Sequence, residues 1–320
     1  MGHAGYMDME NFRLRVFRAV AHHLNFRAAA EELLLTQPAI TQQIKALEEE
    51  LSTSLFDRAG GHVSLMPAGL ALLPFALEMK RLSEDAAQAV AAAAGSIAGQ
   101  LSIGASQTIG QYLLPRFIAD FLREHPAVEI NITGGNTRKV IEELRARRVH
   151  IALIEGPALG NDVRVKPFME DHMVCVVPAG HEWAGREITV ADLRRATLLT
   201  REPGSGSRKI VERELERAGL PVREWKMGMT FDSTEGLLSA VEAGLGTALV
   251  SRWAVRNQLA LGTLKLARVR GLALKRMFSI ATAAGPEPVG TTGVFYRFVL
   301  ERANQLALRS TGRVAPRKTG

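Results

Sequence analysis

FRAAAEELLLTQPAITQQIKALEEEL, residues 26–51, is the stretch whose reading decides the N-terminal fold. Its first eight residues carry a short helix in which Ala29 and Ala30 are small enough for another helix to cross closely. Leu34, Leu35 and Thr36 make a tight connection. A second helix opens at Gln37–Pro38, with Thr36 as N-cap and proline tolerated in the first turn, where its missing N–H has no intrahelical acceptor. Ile40, Ile44, Leu47 and Leu51 recur at helical spacing and form the predicted inward stripe. Two short helices joined by a tight turn, the second starting with polar side chains, make a helix-turn-helix.

Working outward, Glu10 to Leu24 is amphipathic and predicts a preceding helix. LFDRAGGHVSL, from Leu55, has two short β-like runs around Gly60–Gly61 and reads as a hairpin, or wing. Pro67 to about Ala94 is one long helical stretch ending at Gly95, roughly 40 Å at 1.5 Å per residue. Leu70, Leu73, Leu77, Leu82, Ala86 and Val90 give it an apolar seam. A helix of that length needs a partner, so it is read as a dimerising linker. Pro74 should bend it or lie in loosely bonded first turns.

From Gln100 the texture becomes strand–helix alternation, as in LSIGA, VEINITG, HIALIEG, MVCVVPAG, ATLLTREPG, KMGMTFDS and GTALVS. This predicts an α/β region long enough for two lobes. Glu155–Gly156 is the expected crossover between them, and Val294 to Ala307 the closing helix. The expected boundaries are residues 1–66 for the winged helix-turn-helix and 67–96 for the linker. They continue with 97–308 for the α/β region and 309–320 for a basic tail. The first lobe takes about 97–156 and 275–308, the second about 157–274.

The 320 residues carry a net charge of +7 and a pI near 9.8, which invites a polyanion. Yet residues 1–66 hold six Lys/Arg against eight Asp/Glu, so local geometry has to carry any nucleic-acid argument. The excess positive charge lies elsewhere, including Lys265 to Arg276 and the tail. No apolar run approaches the roughly 20 residues of a membrane span. MGHAGYMDMENF lacks a signal-peptide pattern, and residues up to about Met7 read as an extension or alternative start. The expected location is cytoplasmic. A single cysteine, Cys175, excludes an internal disulfide and a cysteine metal cluster. The histidines lack metal-ligand spacing, no G-x-S-x-G is present, and Gly244–Leu245–Gly246 lacks the third glycine of a dinucleotide fingerprint. No catalytic residue, metal or cofactor is expected.

The run from Phe26 to Leu51, then LFDR, then PAG, resembles the N-terminal domain of LysR-type transcriptional regulators. SQTIGQYLLP and TREPGSGSR further resemble the subgroup of Calvin-cycle and sulfur-assimilation regulators. The resemblance implies a winged helix-turn-helix, a linker helix and a two-lobed α/β effector domain of periplasmic-binding-protein-like fold. It implies that Gln37, Pro38, Thr41 and Gln42 face the bases, with Thr36 also in the DNA-contacting set, Lys45 directed at the backbone and Arg58 at phosphate or the minor groove. Gln pairs with adenine, while Pro and the Thr methyl suit a thymine methyl. Arg27 stands where a capping Ser or Thr is common, removing a cap but adding a phosphate-seeking charge. Ser52 replaces a usual glycine, Met66 a common Thr, and Gly61 and His62 stand where basic residues are frequent. Glu48, Glu49 and Glu50 are expected to form a solvated face lifted clear of DNA, with pairing to neighbouring side chains left open. The implied partners are an inverted-repeat promoter site, a second copy or a tetramer, a small-molecule effector and, at the promoter, RNA polymerase.

Two loops in the α/β region read as ligand cradles. Ser106, Gln107, Thr108 and Ile109 follow a strand and open a helix, as do Pro203, Gly204, Ser205, Gly206 and Ser207 on the other lobe. Hydroxyls and free N–H groups at a helix N-terminus suit an anion. Asn136 opens a further helix on the first lobe, Ser233 at the end of the TFD strand is a further candidate, and Arg201 or Arg208 would add a charge-assisted contact. Ser, Thr and Asn before helices are also ordinary N-caps, so both readings stand. Two rival functions remain open, a two-lobed solute-binding protein and an architectural DNA-binding protein that senses nothing.

Overall fold

The computed structural model describes residues 10–58, 62–95, 97–158, 160 and 162–310. The extension to Met7, the hairpin tip Gly60–Gly61 and residues 311–320 of the expected tail lie outside these. The chain divides into two compact units between Ile97 and Ala98.

In the first unit, α1 (Phe12–His23), α2 (Phe26–Glu32) and α3 (Gln37–Glu50) precede β1 (Phe56–Asp57), β2 (Ser64–Leu65) and the 27-residue α4 (Pro67–Ala93). β1 and β2 pair antiparallel as the expected wing. Phe17, Ile40, Ile44 and Leu55 are fully buried among the three helices, and Ala76 of α4 joins them. Leu51 departs from the predicted stripe. It is the C-cap of α3, beyond the last turn, and is exposed. The cap of α2 is intact despite Arg27, because the Asn25 side chain accepts from the amides of Arg27 and Ala28. Ser52 takes the left-handed backbone (φ 52°) that a glycine would adopt without cost.

Leu34, in the turn between α2 and α3, is also left-handed (φ 55°) and 92% exposed. Its side chain buries nothing there, while a β-carbon in that conformation costs about 1–2 kcal/mol. Leu34→Asn is therefore expected to raise stability by about 0.5–1 kcal/mol. Calorimetry showing a lower melting temperature would contradict this reading of the turn.

Along α4, Leu70, Leu77, Leu82 and Val90 of the predicted seam are exposed, and Phe75 and Met79 with them. Pro74 lies inside the helix, past its first turn. No helix among the described residues is long and apolar enough to cross a membrane.

The second unit runs β3 (Gly99–Ser106), α5 (Gln107–Tyr112), α6 (Leu114–Glu124), β4 (Val128–Gly135), α7 (Thr137–Arg145), β5 (Ile151–Ile154), β6 (Val163–Pro178), β7 (Glu187–Ile188), α8 (Val190–Arg195), β8 (Thr197–Arg201), α9 (Gly206–Arg217), β9 (Lys226–Phe231), α10 (Thr234–Glu242), β10 (Ala248–Ser251), α11 (Arg256–Leu261), β11 (Leu264–Val269), β12 (Lys275–Ala283) and α12 (Gly290–Ser310). The strand order is β4-β3-β5-β12-β6-β11-β7, with β10 also on β6 and β8 paired to β9. Parallel β3, β4 and β5 are the core of one lobe. β6 spans both lobes. Its first half pairs with β12 and its second half with β10 and β11. Residues 163 to 172, expected in the second lobe, thus lie in the sheet of the first. The closing helix starts at Gly290, four residues before its expected Val294.

Candidate functional site

In the first unit, α3 begins with exposed residues. Gln37, Pro38 and Gln42 are open to solvent. The Thr36 hydroxyl accepts from the amide of Ala39 at 3.4 Å. Thr41 donates its hydroxyl to the Gln37 carbonyl at 3.0 Å, which leaves its methyl for outward contact.

Of the acidic triplet, Glu49 and Glu50 are the expected solvated face, and Glu48 is not. Glu48 is largely buried, and one of its carboxylate oxygens accepts from the amides of Leu55 (2.8 Å) and Phe56 (3.3 Å). Its other oxygen meets Arg58 at 3.3 Å. Glu50 pairs with Arg13 at 2.6 Å and Glu49 with Lys45 at 3.6 Å. These carboxylates are drawn onto their own domain, where Glu48 ties the end of α3 to the wing. Arg58 also lies 4.6 Å over the ring of Phe26. Arg27 pairs with Glu31 at 3.2 Å and, like Lys45, is highly exposed. Such exposed pairs are worth at most about 1 kcal/mol, so Lys45 and Arg27 remain available to a phosphate.

In the second unit, the carboxyl ends of β3, β4 and β5 lie side by side. They deliver Ser106, Asn136–Thr137 and Glu155–Gly156 to one edge, where open α/β sheets bind ligands. The other lobe meets this edge through Gly204 to Ser207. The Gly204 carbonyl accepts from the amide of Arg138 at 3.3 Å, and Asn136 Nδ2 donates to Glu202 Oε1 at 2.9 Å. A β-carbon on Gly156 would fall 2.5 Å from Gly206 Cα, and one on Gly206 would fall 2.6 Å from Thr137 Oγ1. Only glycine at both positions lets the two backbones touch.

The predicted ligand residues divide. Asn136, Ser205 and Ser233 are N-caps whose side chains accept from Lys139, Arg208 and Gly236 amides. Ile109 is a core residue, and Pro203 is exposed. Gln107 spans the lobes, donating to the Asp232 carbonyl (2.6 Å) and accepting from the Thr234 amide (3.0 Å). Beside it, the Tyr112 hydroxyl donates to Glu235. Arg201 is buried and held by Glu202 (2.9 Å) and the Thr234 hydroxyl (2.8 Å). Arg208 is held by Glu212 (2.6 Å) and the Arg201 carbonyl (3.0 Å). Both arginines expected to meet a ligand thus have protein partners.

Thr108 and Ser207 come together around a residue that sequence reasoning missed, Arg276. Its side chain is 1% exposed. Nη1 donates to Ser207 Oγ at 2.8 Å, Nη2 to Thr108 Oγ1 at 3.4 Å, and Nε to Asp171 Oδ2 at 2.7 Å. Asp171 also accepts from Ser251 Oγ at 2.9 Å. Glu155 Oε2 is 3.3 Å from Arg276 Nη2 but makes no aligned hydrogen bond. Ser106 Oγ and Thr137 Oγ1 are likewise buried with no hydrogen-bond partner among the described residues. Burial pushes the Asp171 carboxyl above its ordinary range, against the pull of Arg276 and Ser251, and Glu155 adds to the rise. The available signal was a charged pair, Lys275–Arg276, opening a mostly apolar strand.

A cavity of about 20 Å³, bordered by Thr200, Arg201, Ser207 and Trp225, lies in the second lobe. It has room for roughly one water. Cys175 is buried and its thiol pushed up to about 12 by desolvation, the character of a core residue and not a nucleophile. Among the described residues, no group of three or more His, Cys, Asp or Glu is placed to hold a metal ion.

Residues 12–70 match the bacterial regulatory helix-turn-helix protein pattern of the lysR family, and residues 94–304 match the LysR substrate binding domain. The HTH-type transcriptional regulator CysL of Bacillus subtilis (strain 168) is 36% identical over 267 residues, 83% of this chain and 88% of its own length. A probable RuBisCO transcriptional regulator of Cyanophora paradoxa is 35% identical over 84% of this chain and 85% of its own. Full-length CbnR, solved in complex with its target DNA, superposes with a TM-score of 0.64. The match covers 93% of this chain and 99% of CbnR at 24% identity.

Proposed function

Because the chain belongs to the LysR family of bacterial transcriptional regulators, a family of DNA-binding proteins with an effector-binding domain and not of enzymes, we propose that it reads promoter DNA with the N-terminal turns of α3 and senses a small anion between the lobes of its second unit. It acts in the cytoplasm, where that DNA is. The observation that carries the first part is the division of α3. Gln37, Pro38 and Gln42 are exposed at its N-terminal end, while near its C-terminal end Glu48 is drawn onto the wing and Glu50 pairs with Arg13. Gln37 and Gln42 serve as base readers, Pro38 and the Thr41 methyl as thymine contacts, and Lys45, Arg27 and Arg58 as phosphate contacts.

Two recognition helices acting together follow from the exposed seam of α4, which a second copy would cover, giving a dimer on an inverted repeat. Pairing of effector domains would extend this to a tetramer, and RNA polymerase is the partner at the promoter. The second part rests on the buried, unpartnered hydroxyls of Ser106 and Thr137 at the sheet edge that also carries Glu155, and on the buried Arg276 that Thr108 and Ser207 face. These two hydroxyls are hydrogen-bond donors without a protein acceptor.

A gel shift and footprint on the intergenic DNA beside its own gene test the DNA reading. Gln37→Ala is expected to weaken specific binding by about 5- to 150-fold, the 1–3 kcal/mol of a bidentate base contact. The acid excess of residues 1–66, six Lys/Arg against eight Asp/Glu, predicts a shallow salt dependence. A log–log slope near −10, as for about eleven phosphate contacts, contradicts that. Wild-type affinity retained in Gln37→Ala and Gln42→Ala alike rejects α3 as the reading helix.

A further inference from the structure

The cleft carries more negative than positive charge, which bears on how it takes an anion. One buried guanidinium, Arg276 on β12, faces two carboxylates, Asp171 on β6 and Glu155 after β5. The groups facing them from α5, α9 and β10 are the hydroxyls of Thr108, Ser207 and Ser251. The next charges outward are paired with each other, Arg201 with Glu202 and Arg208 with Glu212. Arg138 and Lys139 stand exposed at the rim. An incoming anion therefore meets a guanidinium already outnumbered by carboxylates in a desolvated place, where a further like charge is costly.

The two carboxylates are held unequally. Asp171 is anchored by Arg276 at 2.7 Å and Ser251 at 2.9 Å. Glu155 has one contact at 3.3 Å with no aligned hydrogen bond, and its Oε2 is buried and unsatisfied. Glu155 is thus the more weakly held of the two, and Ser106 and Thr137, whose hydroxyls are buried and unpartnered, stand at the same sheet edge.

Resting on the reading of the cleft as an anion site, we propose that ligand capture is coupled to proton uptake: the anion takes the Arg276 face now held by Glu155, and the Glu155–Asp171 carboxylate pair binds one proton from solvent as it does so. A protonated carboxyl becomes a donor towards the anion where the carboxylate was only an acceptor. The raised Asp171 carboxyl agrees with this, since burial and Glu155 already favour its protonated form. The ligand class is a small oxyanion or carboxylate bound more tightly as pH falls.

The test uses the full chain and sodium sulfate, which stays fully ionised from pH 5.5 to 8.5, with sodium chloride at matched ionic strength as reference. Sulfate affinity is measured by calorimetry across that range. In wild type it is expected to fall by about tenfold per pH unit where one proton is linked. Glu155→Gln, which keeps the shape and removes the charge, is expected to bind at pH 8 at least as tightly as wild type at pH 6 and to lose most of the slope. Asp171→Asn provides the same reading should Glu155→Gln not fold.

A flat wild-type profile overturns the coupling but leaves the anion site standing, provided Ser106→Ala/Thr108→Ala abolishes binding. A slope that survives unchanged in both Glu155→Gln and Asp171→Asn assigns the proton to another group and also overturns it. No sulfate effect beyond chloride at any pH, or one indifferent to Ser106→Ala/Thr108→Ala, defeats the anion reading and the coupling together.

Discussion

Arg276→Met is expected to lower the stability of the unit that begins at Ala98 by about 3–5 kcal/mol, the usual consequence of removing one partner from a buried ionic cluster. Methionine replaces much of the side-chain volume, so the loss comes from charge. Asp171 and Glu155 would remain as buried carboxylates without their cation, and Ser207 and Thr108 would lose a donor. The pH dependence separates this from a packing effect. The folded-state pKa of Asp171 already lies above its ordinary value of 3.8. The native state therefore binds that proton more tightly than the unfolded chain. Stability is gained as pH falls through the raised folded value, and the gain is complete below 3.8. Removing Arg276 takes away the group that opposes the rise, so the gain should begin at higher pH and be larger. Scanning calorimetry of wild type and variant between pH 5 and 8 should show the deficit narrowing towards pH 5. A deficit constant across that range rejects the electrostatic account.

Gly69→Val is expected to cost the first unit about 3 kcal/mol, the upper end of ordinary overpacking penalties. Gly69 sits in the first turn of α4, where a β-carbon would lie 2.3 Å from the Leu55 carbonyl oxygen and 2.8 Å from Leu65 Cδ2. The clash is with backbone. That carbonyl also accepts from the Met66 amide at 2.9 Å, and the Leu55 amide is held by Glu48 at 2.8 Å. Leu55 cannot retreat without breaking a bond that joins the wing to α3 or α4. Calorimetry should show the transition of the first unit lowered and that of the second unchanged, with DNA affinity falling alongside. Unchanged stability would mean that α4 starts from a different approach to the wing.

The order of elements was legible because it depends on local chemistry. Thr36 before Gln37–Pro38 starts a helix by capping, Gly60–Gly61 between two β-like runs predicts a hairpin, and the spacing of Ile40, Ile44 and Leu47 selects the buried face of α3. Such signals act within a few residues, so one chain segment states them in full. The resemblance carried by LFDR, PAG and the spacing of the blocks then extended the reading to the family.

Side-chain partnerships belong to another level. Glu48 read as solvated because sequence spacing measures distance only along its own helix, and the amides of Leu55 and Phe56 that claim it arrive through a turn. Arg201 and Gln107 read as ligand contacts because each stands at a strand end beside a helix start. The opposite lobe or a neighbouring loop had already taken them. Arg276, 168 residues from Thr108 and 69 from Ser207, has no local mark beyond its charge. The sequence by itself determined where helices and strands begin and which faces turn inward, since hydrogen bonding and apolar periodicity are short-ranged. Only the tertiary structure decided which buried charge meets which hydroxyl, because desolvation and ion pairing depend on atoms that folding brings together from distant parts of the chain.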